Sequence, residues 1–438
     1  MSRARGYNKQ SKRLLALLLL LVLAGAAAVL LWLRPWQGGG EEPAAPEQQS
    51  APAPEEEEQE PVVAHLVVGG DVMSHMPQTN DAYTGSDYDY YPMLRALQPL
   101  LADADYTVAN LETTFSGGPD YSGYPTFNTP DQLARDLKKV GFDLVSTANN
   151  HCMDGRYEGL ERTLDVLDQN GLAHVGTYRD EGERAENRGV YVADVGGISV
   201  AFLSYTYGTN GIPVSDEHPG TVNLFNVDYM TDLADIDEEL IQADMAYARS
   251  LETDLIAVMV HWGTEYQTEQ NSRQEELAQL LMEEGADLIL GGHPHVLQPA
   301  EFRTVTLEDG SEHTAFVCFS LGNLISAQND EYTDTTALLD LELTLDPETG
   351  ACAVSRAAYL PLYMLDQEEE VNGERFVLLD AYAALAEYRS GQSTLVNDAV
   401  AARLEKAIAD CQSILAPLED VTQAAWAQGM LWHDEAAA

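Results

Sequence analysis

Gly291-Gly292-His293-Pro294-His295 follows the apolar run 286–290 and places two histidines directly after a buried strand. The glycines have no Cβ, so the backbone can turn sharply and approach whatever the histidines hold. Neutral imidazole is the commonest metal-ligating side chain, and the intervening proline helps to aim both rings at one place. Such a pair alone is more often hydrogen-bonded structure than a ligand set, so its interpretation depends on the rest of the chain.

Four further apolar runs end in side chains that can ligate metals: Gly70-Asp71, Asn110-Leu111-Glu112, Asn149-Asn150-His151 and His261-Trp262-Gly263. Ligands in open α/β sheets gather at the carboxyl ends of the strands. We therefore expect all five strand ends to form one site.

The donor atoms of this predicted site exceed what one tetrahedral ion needs. Two carboxylates, one amide and three imidazoles suit two cations that share a bridging carboxylate. Oxygen and nitrogen donors without thiolate fit one or two divalent ions of Mn, Fe or Zn, and the donor types do not choose among them. The chemistry expected is metal-assisted attack of water on a phosphoryl or carbonyl centre.

From residue 62 onward, short β-rich runs alternate with amphipathic helices, which predicts an α/β fold with mixed sheets. The predicted strands are 63–69, 105–110, 143–148, 189–195, 198–205, 255–261, 286–290, 314–320 and 336–344. The predicted helices are 92–102, 130–140, 157–170, 230–250, 272–284, 376–389 and 396–415.

Six motifs in order resemble the CapA family of bacterial capsule-synthesis proteins linked to poly-γ-glutamate, over roughly residues 64–330. They are Gly70–Met73, Asn110–Glu112, Ala148–Asp154, His261–Tyr266, Gly292–Gln298 and Ser320–Asn323. CapA proteins are in turn similar to calcineurin-like metallophosphoesterases. The resemblance implies a four-layer α-β-β-α sandwich with two mixed sheets.

The same resemblance implies a role for each motif residue. Asp71 and His295 would bind a first metal, and Glu112 would bridge. The second metal would be bound by Asn150, His261 and His293. His151 would act as the catalytic general acid, positioned by its neighbour Asn150.

The chain departs from the phosphoesterase pattern at two places. That superfamily opens with Asp-x-His, whereas this chain has Met73 in place of the histidine, and His75 is not assigned as a replacement. The second carboxylate is Glu112 rather than aspartate. A mononuclear site, or a binding module without hydrolysis, therefore remains an alternative.

Four other residues are candidates for substrate binding. Trp262, Glu265 and Tyr266 follow a ligand-bearing strand and are expected to line a cleft, although Trp262 is equally compatible with packing under the site. Asn323 is expected to orient a ligand by hydrogen bonding. Asp154 is interpreted as a helix cap rather than as a partner of His151.

The N-terminal region predicts membrane attachment. Residues 1–13 form a basic cytoplasmic tail, and Leu14–Leu33 is an apolar run long enough to span a bilayer core of about 30 Å. A cleavable signal peptide is the alternative. Residues 34–61 predict a disordered acidic and proline-containing linker. Residues 62–365 are expected to form the CapA-like domain, and 366–438 a helical extension.

Charge excludes one class of partner. Residues 62–438 carry 17 basic and 64 acidic residues, a net charge of −47. Nucleic acid is excluded because binding its phosphates needs clustered Lys and Arg. The four cysteines show no paired spacing and are expected to be mostly buried thiols.

These features together predict a single-pass membrane protein whose main domain is extracellular and acts in poly-γ-glutamate capsule or related envelope-polymer biosynthesis. Its expected partners are an envelope polymer or its precursor, the cytoplasmic membrane and capsule-synthesis membrane proteins. Two alternatives stay open: a metallophosphoesterase acting on an envelope phosphoester, and a non-catalytic polymer assembly or export module.

Overall fold

Alternating apolar side chains along the strands determine how two sheets pack in this protein. The structure, a computed structural model, describes residues 60–371 and 374–420. The predicted tail 1–13, the predicted anchor 14–33, almost all of the predicted linker and residues 421–438 lie outside the described residues.

The described strands are β1 (Val62–Val72), β2 (Tyr106–Leu111), β3 (Leu144–Ser146), β4 (Ala173–Val175), β5 (Tyr191–Val195), β6 (Ile198–Thr206), β7 (Leu255–His261), β8 (Leu288–Gly292), β9 (Ala300–Thr306), β10 (Glu312–Cys318), β11 (Asn323–Ile325), β12 (Thr335–Leu345), β13 (Cys352–Val371), β14 (Glu374–Asp380) and β15 (Glu419–Asp420). The described helices are α1 (Met76–Asp81), α2 (Tyr91–Leu94), α3 (Leu97–Leu101), α4 (Gln132–Val140), α5 (Arg156–Asn170), α6 (Glu181–Asn187), α7 (Glu238–Ser250), α8 (Ser272–Glu283), α9 (Ala381–Arg389) and α10 (Asp398–Ile414).

Both sheets are mixed, as the sequence predicts. The nine-stranded sheet runs β14-β13-β12-β1-β2-β3-β4, with β11 also paired to β1 and β15 to β13. Strands β1 to β4 are parallel, and β12 joins β1 in the antiparallel sense. The six-stranded sheet runs β5-β6-β7-β8-β10-β9, in which β6, β7, β8 and β10 are parallel.

Three apolar clusters define the layers of the molecule. On β1, Leu66 and Val68 pack in a core shared with Phe202 of β6 and Leu288 of β8, so the two sheets face each other. Val67 of the same strand belongs to a core with α4 and α5 on the outer face of the first sheet. Side chains of β6 and β7 pack with α7 and α8 on the outer face of the second sheet. From one outer face to the other, the layers are therefore helices, sheet, sheet, helices.

Three predicted helices are corrected by the structure, two of them because a side chain caps the helix at a later residue. The predicted helix 92–102 is two short helices, α2 and α3. The predicted helix 230–250 begins only at Glu238, because the side chain of Asp237 accepts a hydrogen bond from the Leu240 N–H and caps the helix there. Residues 376–380 of the predicted helix 376–389 belong to strand β14, and the helix starts after Asp380, which accepts hydrogen bonds from two backbone N–H groups.

The C-terminal part of the described chain is joined to the first sheet. Strand β13 continues through residue 365, where the sequence predicts a domain boundary, and β14 and β15 both pair with β13. Residues 366–420 are thus strand as well as helix, which corrects the expectation of a purely helical extension. Helices α9 and α10 pack together on the residues of β13 and β14.

Strands β4, β9, β11, β13, β14 and β15 and helices α1 and α6 were not predicted. The four cysteines are free thiols, and three of them are buried as expected. Among residues 60–371 and 374–420, the structure contains no helix with the length and apolarity needed to cross a membrane.

Candidate metal centre

The carboxyl ends of strands from both sheets meet at one place. In the first sheet Asp71 of β1 lies opposite Asn110 of β2, and in the second sheet His261 of β7 lies opposite Gly292 of β8. These strands are largely buried, and each carries a ligating side chain at or just beyond its carboxyl end, so the chain brings these side chains to a common edge. The five predicted strand ends therefore converge.

Two buried carboxylates lie at the centre of this site. Asp71 accepts hydrogen bonds from Asn110 Nδ2 at 2.8 Å and from the backbone N–H of His293 at 3.0 Å. Glu112 is fully buried, and neither of its carboxylate oxygens has a hydrogen-bond partner. Burial alone would raise the pKa of Glu112, but the rings of His261 and His295 outweigh it and hold the pKa below its usual range. An ionised, buried and unpartnered carboxylate is costly unless a cation satisfies it.

His261 is held from both sides of its ring. Its Nδ1 lies 3.2 Å from Asn110 Nδ2. On the other side of the ring, Asn150 Oδ1 lies 3.0 Å and Glu112 Oε1 lies 3.4 Å from Nε2. One nitrogen and two oxygen donors thus converge, which is the arrangement that a divalent cation of the Mn, Fe or Zn type requires.

The two histidines after β8 sit on strained backbone. His293 has φ 97° and His295 has φ 61°, in the left-handed region that side chains other than glycine rarely adopt. The preceding glycine is required for space, since a Cβ at Gly292 would lie 2.4 Å from Asp71 Oδ1. His295 Nδ1 donates to Asn323 Oδ1 at 3.1 Å and lies 3.6 Å from Asp71, whereas His293 Nδ1 is buried without a partner.

The pKa values of His293 and His295 are shifted in opposite directions. Burial, followed by the nearby His261 and His295, lowers the pKa of His293 well below its usual value, so its ring is neutral and able to ligate. Burial also acts to lower the pKa of His295, but the carboxylates of Glu112 and Asp71 raise it to about 9.

Two groups of potential ligand atoms overlap at Glu112. One group consists of Glu112, His293 and His295, and the other of Asp71, Glu112 and His261, with all ligand atoms of a group within 4.8 Å of one another. The unpartnered atoms of Glu112 and His293 and the mixed oxygen and nitrogen donors fit one or two divalent ions with Glu112 shared. The six predicted ligands are therefore brought together, although the groups join Asp71 with His261 rather than with His295. The division of ligands between two ions stays a prediction.

His151 lies beside this centre and is paired with an acid. Its Nδ1 is 2.7 Å from Asp154 Oδ2, and both side chains are buried. Helix α5 has Gly155 at its N-cap and no side-chain cap, so the interpretation of Asp154 as a cap was wrong. Asp154 is held instead by the backbone N–H of Phe127, which orients it towards the imidazole.

Met73 stands where the phosphoesterase pattern has a metal-binding histidine, and His75 follows two residues later. Both residues make other contacts. Met73 is buried, and its backbone N–H bonds to Ile325 O. The Nδ1 atom of His75 accepts a hydrogen bond from the Ala327 N–H, and its ring packs edge-on against Phe127. Burial, then the repulsion of His295, lowers the pKa of His75 to about 4.

The predicted substrate-binding residues lie around the centre at different depths. Trp262 is buried, stacks on Phe319 and donates its indole N–H to Phe319 O at 2.8 Å, and it also lines a cleft next to His293. Glu265 lines the same cleft, and Tyr266 is 41% exposed. Asn323 bonds to His295, as expected of a ligand-orienting residue.

Two residues of the site were not singled out from the sequence. Asn110 contacts both Asp71 and His261. The sequence indicated this residue only through its position in the Asn110–Glu112 motif. Asn210 lies in the loop after β6, where its amide is 3.4 Å from His151 Nε2 and 3.3 Å from the amide of Asn150. No periodicity or motif marks Asn210, so sequence reasoning had no signal for it.

Fold and site together define an α/β protein with a candidate metal centre at the carboxyl edges of two facing sheets. The chain belongs to the family described as bacterial capsule synthesis protein PGA_cap, whose profile matches residues 65–328. It is 26% identical over 286 residues to the PGA biosynthesis protein CapA of Bacillus subtilis (64% of this chain, 68% of that protein). It is 28% identical over 284 residues to the capsule biosynthesis protein CapA of Bacillus anthracis (63% of this chain, 62% of that protein).

Solved structures match with low overall similarity. A phosphatase from Mycoplasma pneumoniae aligns at a TM-score of 0.38 and 14% identity, over 68% of this chain and 93% of that one. The protein TT1561 of Thermus thermophilus aligns at a TM-score of 0.31 and 10% identity, over 66% of this chain and 97% of that one.

Proposed function

We propose that this protein is a metal-dependent hydrolase or transferase that acts on an envelope polymer, poly-γ-glutamate or its precursor, at the outer face of the cell membrane. The observation that carries the proposal is the buried Glu112 carboxylate, whose two unpartnered oxygens are shared by two groups of ligands. Membership in a capsule synthesis family supports the polymer, because both curated relatives are named for capsule or PGA biosynthesis.

The proposed chemistry assigns a task to each residue. Asp71, Glu112, Asn150, His261, His293 and His295 would hold one or two divalent ions, which supply Lewis-acid polarisation of a carbonyl or phosphoryl group. Glu112 stays ionised because of the neighbouring histidines and therefore keeps its affinity for a cation. Asn110 and Asn323 keep the ligating rings of His261 and His295 in place.

His151 would protonate the leaving group. Its Nδ1 faces Asp154, which stabilises the protonated ring, so its Nε2 is the atom that delivers the proton. The Asn210 amide occupies the neighbourhood of Nε2, and a substrate oxygen would take its place there. Asn150 contacts both Asn210 and His261 and so links the proton donor to the metal ligands.

The proposed location rests on the sequence of residues 1–61. A basic segment precedes an apolar run of membrane-spanning length, and an acidic linker follows, which fits an N-terminus in the cytoplasm and a main domain outside. Capsule-synthesis membrane proteins are then the proposed neighbours. The net charge of residues 62–438 speaks against nucleic acid as a partner.

Activity of the reconstituted chain tests this proposal. The full chain is stripped with a chelator, reloaded separately with Mn²⁺, Fe²⁺ or Zn²⁺, and assayed with poly-γ-glutamate, by the change in chain length, and with an aryl phosphate. We expect metal-dependent shortening of the polymer. If only the aryl phosphate is turned over, the substrate is a phosphoester and not the polymer. If the chain does not retain metal, the protein is a non-catalytic assembly module.

A further inference from the structure

A cleft of about 380 Å³ opens beside the metal centre and has no assigned occupant. His293 forms part of its wall, so the cleft adjoins the proposed reaction site. The ring of Tyr207, another wall residue, lies 4.7 Å from the ring of His293. Phe225, Leu233 and Ile236 supply an apolar surface. A molecule bound here would reach the metal ligands without crossing bulk water.

Asn226 is the polar group that points to a ligand. Its side chain is only 3% exposed, and its Nδ2 donates to Tyr207 O at 2.9 Å. Its Oδ1 is buried and has no hydrogen-bond partner. A buried acceptor without a donor costs free energy, and a ligand N–H or O–H that reaches it would remove that cost. The cleft therefore favours a ligand with a donor at this position.

Arg273 is the cation of the cleft. It is the only Lys or Arg among the described residues that line it. Its guanidinium donates to the backbone oxygen of Ala234 and forms an ion pair with Glu276. The paired side chains are 40% and 56% exposed, and exposed pairs of this kind contribute little. A ligand carboxylate can replace Glu276 at this guanidinium, because the planar guanidinium presents paired N–H donors that match the two oxygens of a carboxylate.

Asn271 and Gln274, two other polar residues of the wall, are already engaged. Asn271 accepts from two N–H groups at the start of α8 and donates to Thr264 Oγ1. Gln274 donates to Gln298 Oε1 at 2.7 Å. Glu265 also lines the cleft, but it is exposed, so solvent and salt screen its repulsion of a ligand carboxylate bound at Arg273. With His293 assigned to the metal centre, we assign ligand recognition to Asn226, which has an unpartnered acceptor, and to Arg273, the cation of the wall.

From these contacts we infer that the cleft binds an N-acylated amino acid of the glutamyl kind. Its amide N–H would donate to Asn226 Oδ1, its carboxylate would pair with Arg273, and its methylene groups would lie on the apolar wall. A γ-linked glutamyl unit presents all three features in one repeat. The inference deepens the proposed function and rests on it for the polymer, because it names which groups select the substrate.

Binding of a defined oligomer tests the inference without any catalysis. The probe is tri-γ-glutamate, titrated calorimetrically into the metal-free full chain, and the comparison ligand is the same trimer with every carboxylate amidated. We expect Arg273→Gln to weaken binding of the acidic trimer at least tenfold, the loss expected of about one charge-assisted hydrogen bond. The same variant should leave binding of the amidated trimer unchanged.

A second variant and a control variant test whether the loss of binding is only a consequence of altered folding. Asn226→Leu removes the acceptor at similar volume and should weaken both trimers, with the thermal transition recorded to verify folding. Arg249→Gln is the control: Arg249 is similarly exposed, pairs with Glu284 and does not line the cleft. It should bind both trimers as the unchanged protein does.

The inference fails if the unchanged protein does not bind the acidic trimer, or if Arg273→Gln weakens both trimers equally. Because the titration uses metal-free protein, loss of hydrolytic activity would not affect it. Conversely, metal-dependent activity with no trimer binding would leave the proposed function standing and overturn only the assignment of the cleft.

Discussion

Glu112 and His151 show how single side chains acquire different tasks from their surroundings. Glu112 is buried among imidazoles without a hydrogen-bond donor, which favours an ionised ligand for a cation. His151 is buried beside Asp154 and has its second nitrogen near the exposed Asn210, which favours proton transfer. The proposed metal binding and the proposed proton donation therefore fall on separate residues.

The first prediction concerns His151. His151→Gln should lower kcat by about 10²- to 10⁴-fold, the usual contribution of a positioned general acid, and leave the metal content unchanged. Steady-state kinetics and elemental analysis of the same preparation measure both quantities. Asp154→Asn should lower kcat less, because the ring stays in place. A variant that keeps its kcat, or that loses metal along with activity, would contradict this division of tasks.

At the scale of elements, the site depends on how closely strand ends approach. β8 passes so near to Asp71 that residue 292 has no room for a side chain, and residue 291 is likewise close to Phe319 O. His293 and His295 directly follow β8, which is paired with the parallel strands β7 and β10, so their strained backbone is anchored at the edge of the sheet. Precise placement of ligands therefore comes from the sheet edges rather than from flexible loops.

A Gly292→Ala variant tests that close approach. The added Cβ would lie 2.4 Å from Asp71 Oδ1, so we expect metal affinity to fall at least tenfold while the fold is retained. Isothermal titration with Mn²⁺ measures the affinity, and circular dichroism verifies the fold.

Gly208→Ala is the matched control for this variant. Its new Cβ would meet other atoms only at ordinary contact distances of 3.4 Å and beyond. Equal metal affinity in both variants and the unchanged protein would show that Asp71 is not a ligand.

The sequence allowed the strand ends to be predicted because local signals agree there: an apolar run of strand length stops at a ligand-type residue. It did not allow β14 to be predicted, because the run from Phe376 into Ala381–Arg389 also fits a helix, although β12, β13 and β14 pair as successive antiparallel neighbours in the sequence. Asp154 fits a helix cap in the local sequence, and only the distant N–H of Phe127 turns it towards His151. Likewise, Asn210 approaches the site through loop geometry that no periodicity encodes.

At the scale of the whole molecule, stability depends on acids buried within a strongly acidic chain. Asp340 on β12 is buried, with one oxygen 3.1 Å from His65 Nδ1 and the other without a hydrogen-bond partner. Burial, only partly offset by His65, raises the pKa of Asp340 from 3.8 to about 6. A raised carboxyl pKa in the folded state stabilises the protein below about pH 4, and this contribution is lost as the pH rises through about 6.

Replacement of Asp340 should therefore increase the free energy of unfolding by an amount that depends on pH. Asp340→Asn should increase the free energy of unfolding relative to the unchanged protein as the pH rises from 4 to 7, by up to about 3 kcal/mol. Urea unfolding at pH 4.5 and 7.5 measures the difference. Asp103→Asn, at an exposed position, controls for the general reduction in negative charge. A gain of the same size at both pH values would mean that burial does not raise the pKa of Asp340.

The metal content of the whole chain tests the central claim most directly. The protein is purified without chelators, and bound divalent metal is counted by inductively coupled plasma mass spectrometry for the unchanged chain, for His293→Ala and for the control His174→Ala, which pairs with Asp168 away from the centre. We predict at least about one tightly bound ion per chain in the unchanged protein and in the control, and almost none in a still-folded His293→Ala. Full metal content in His293→Ala would contradict the assignment of the centre.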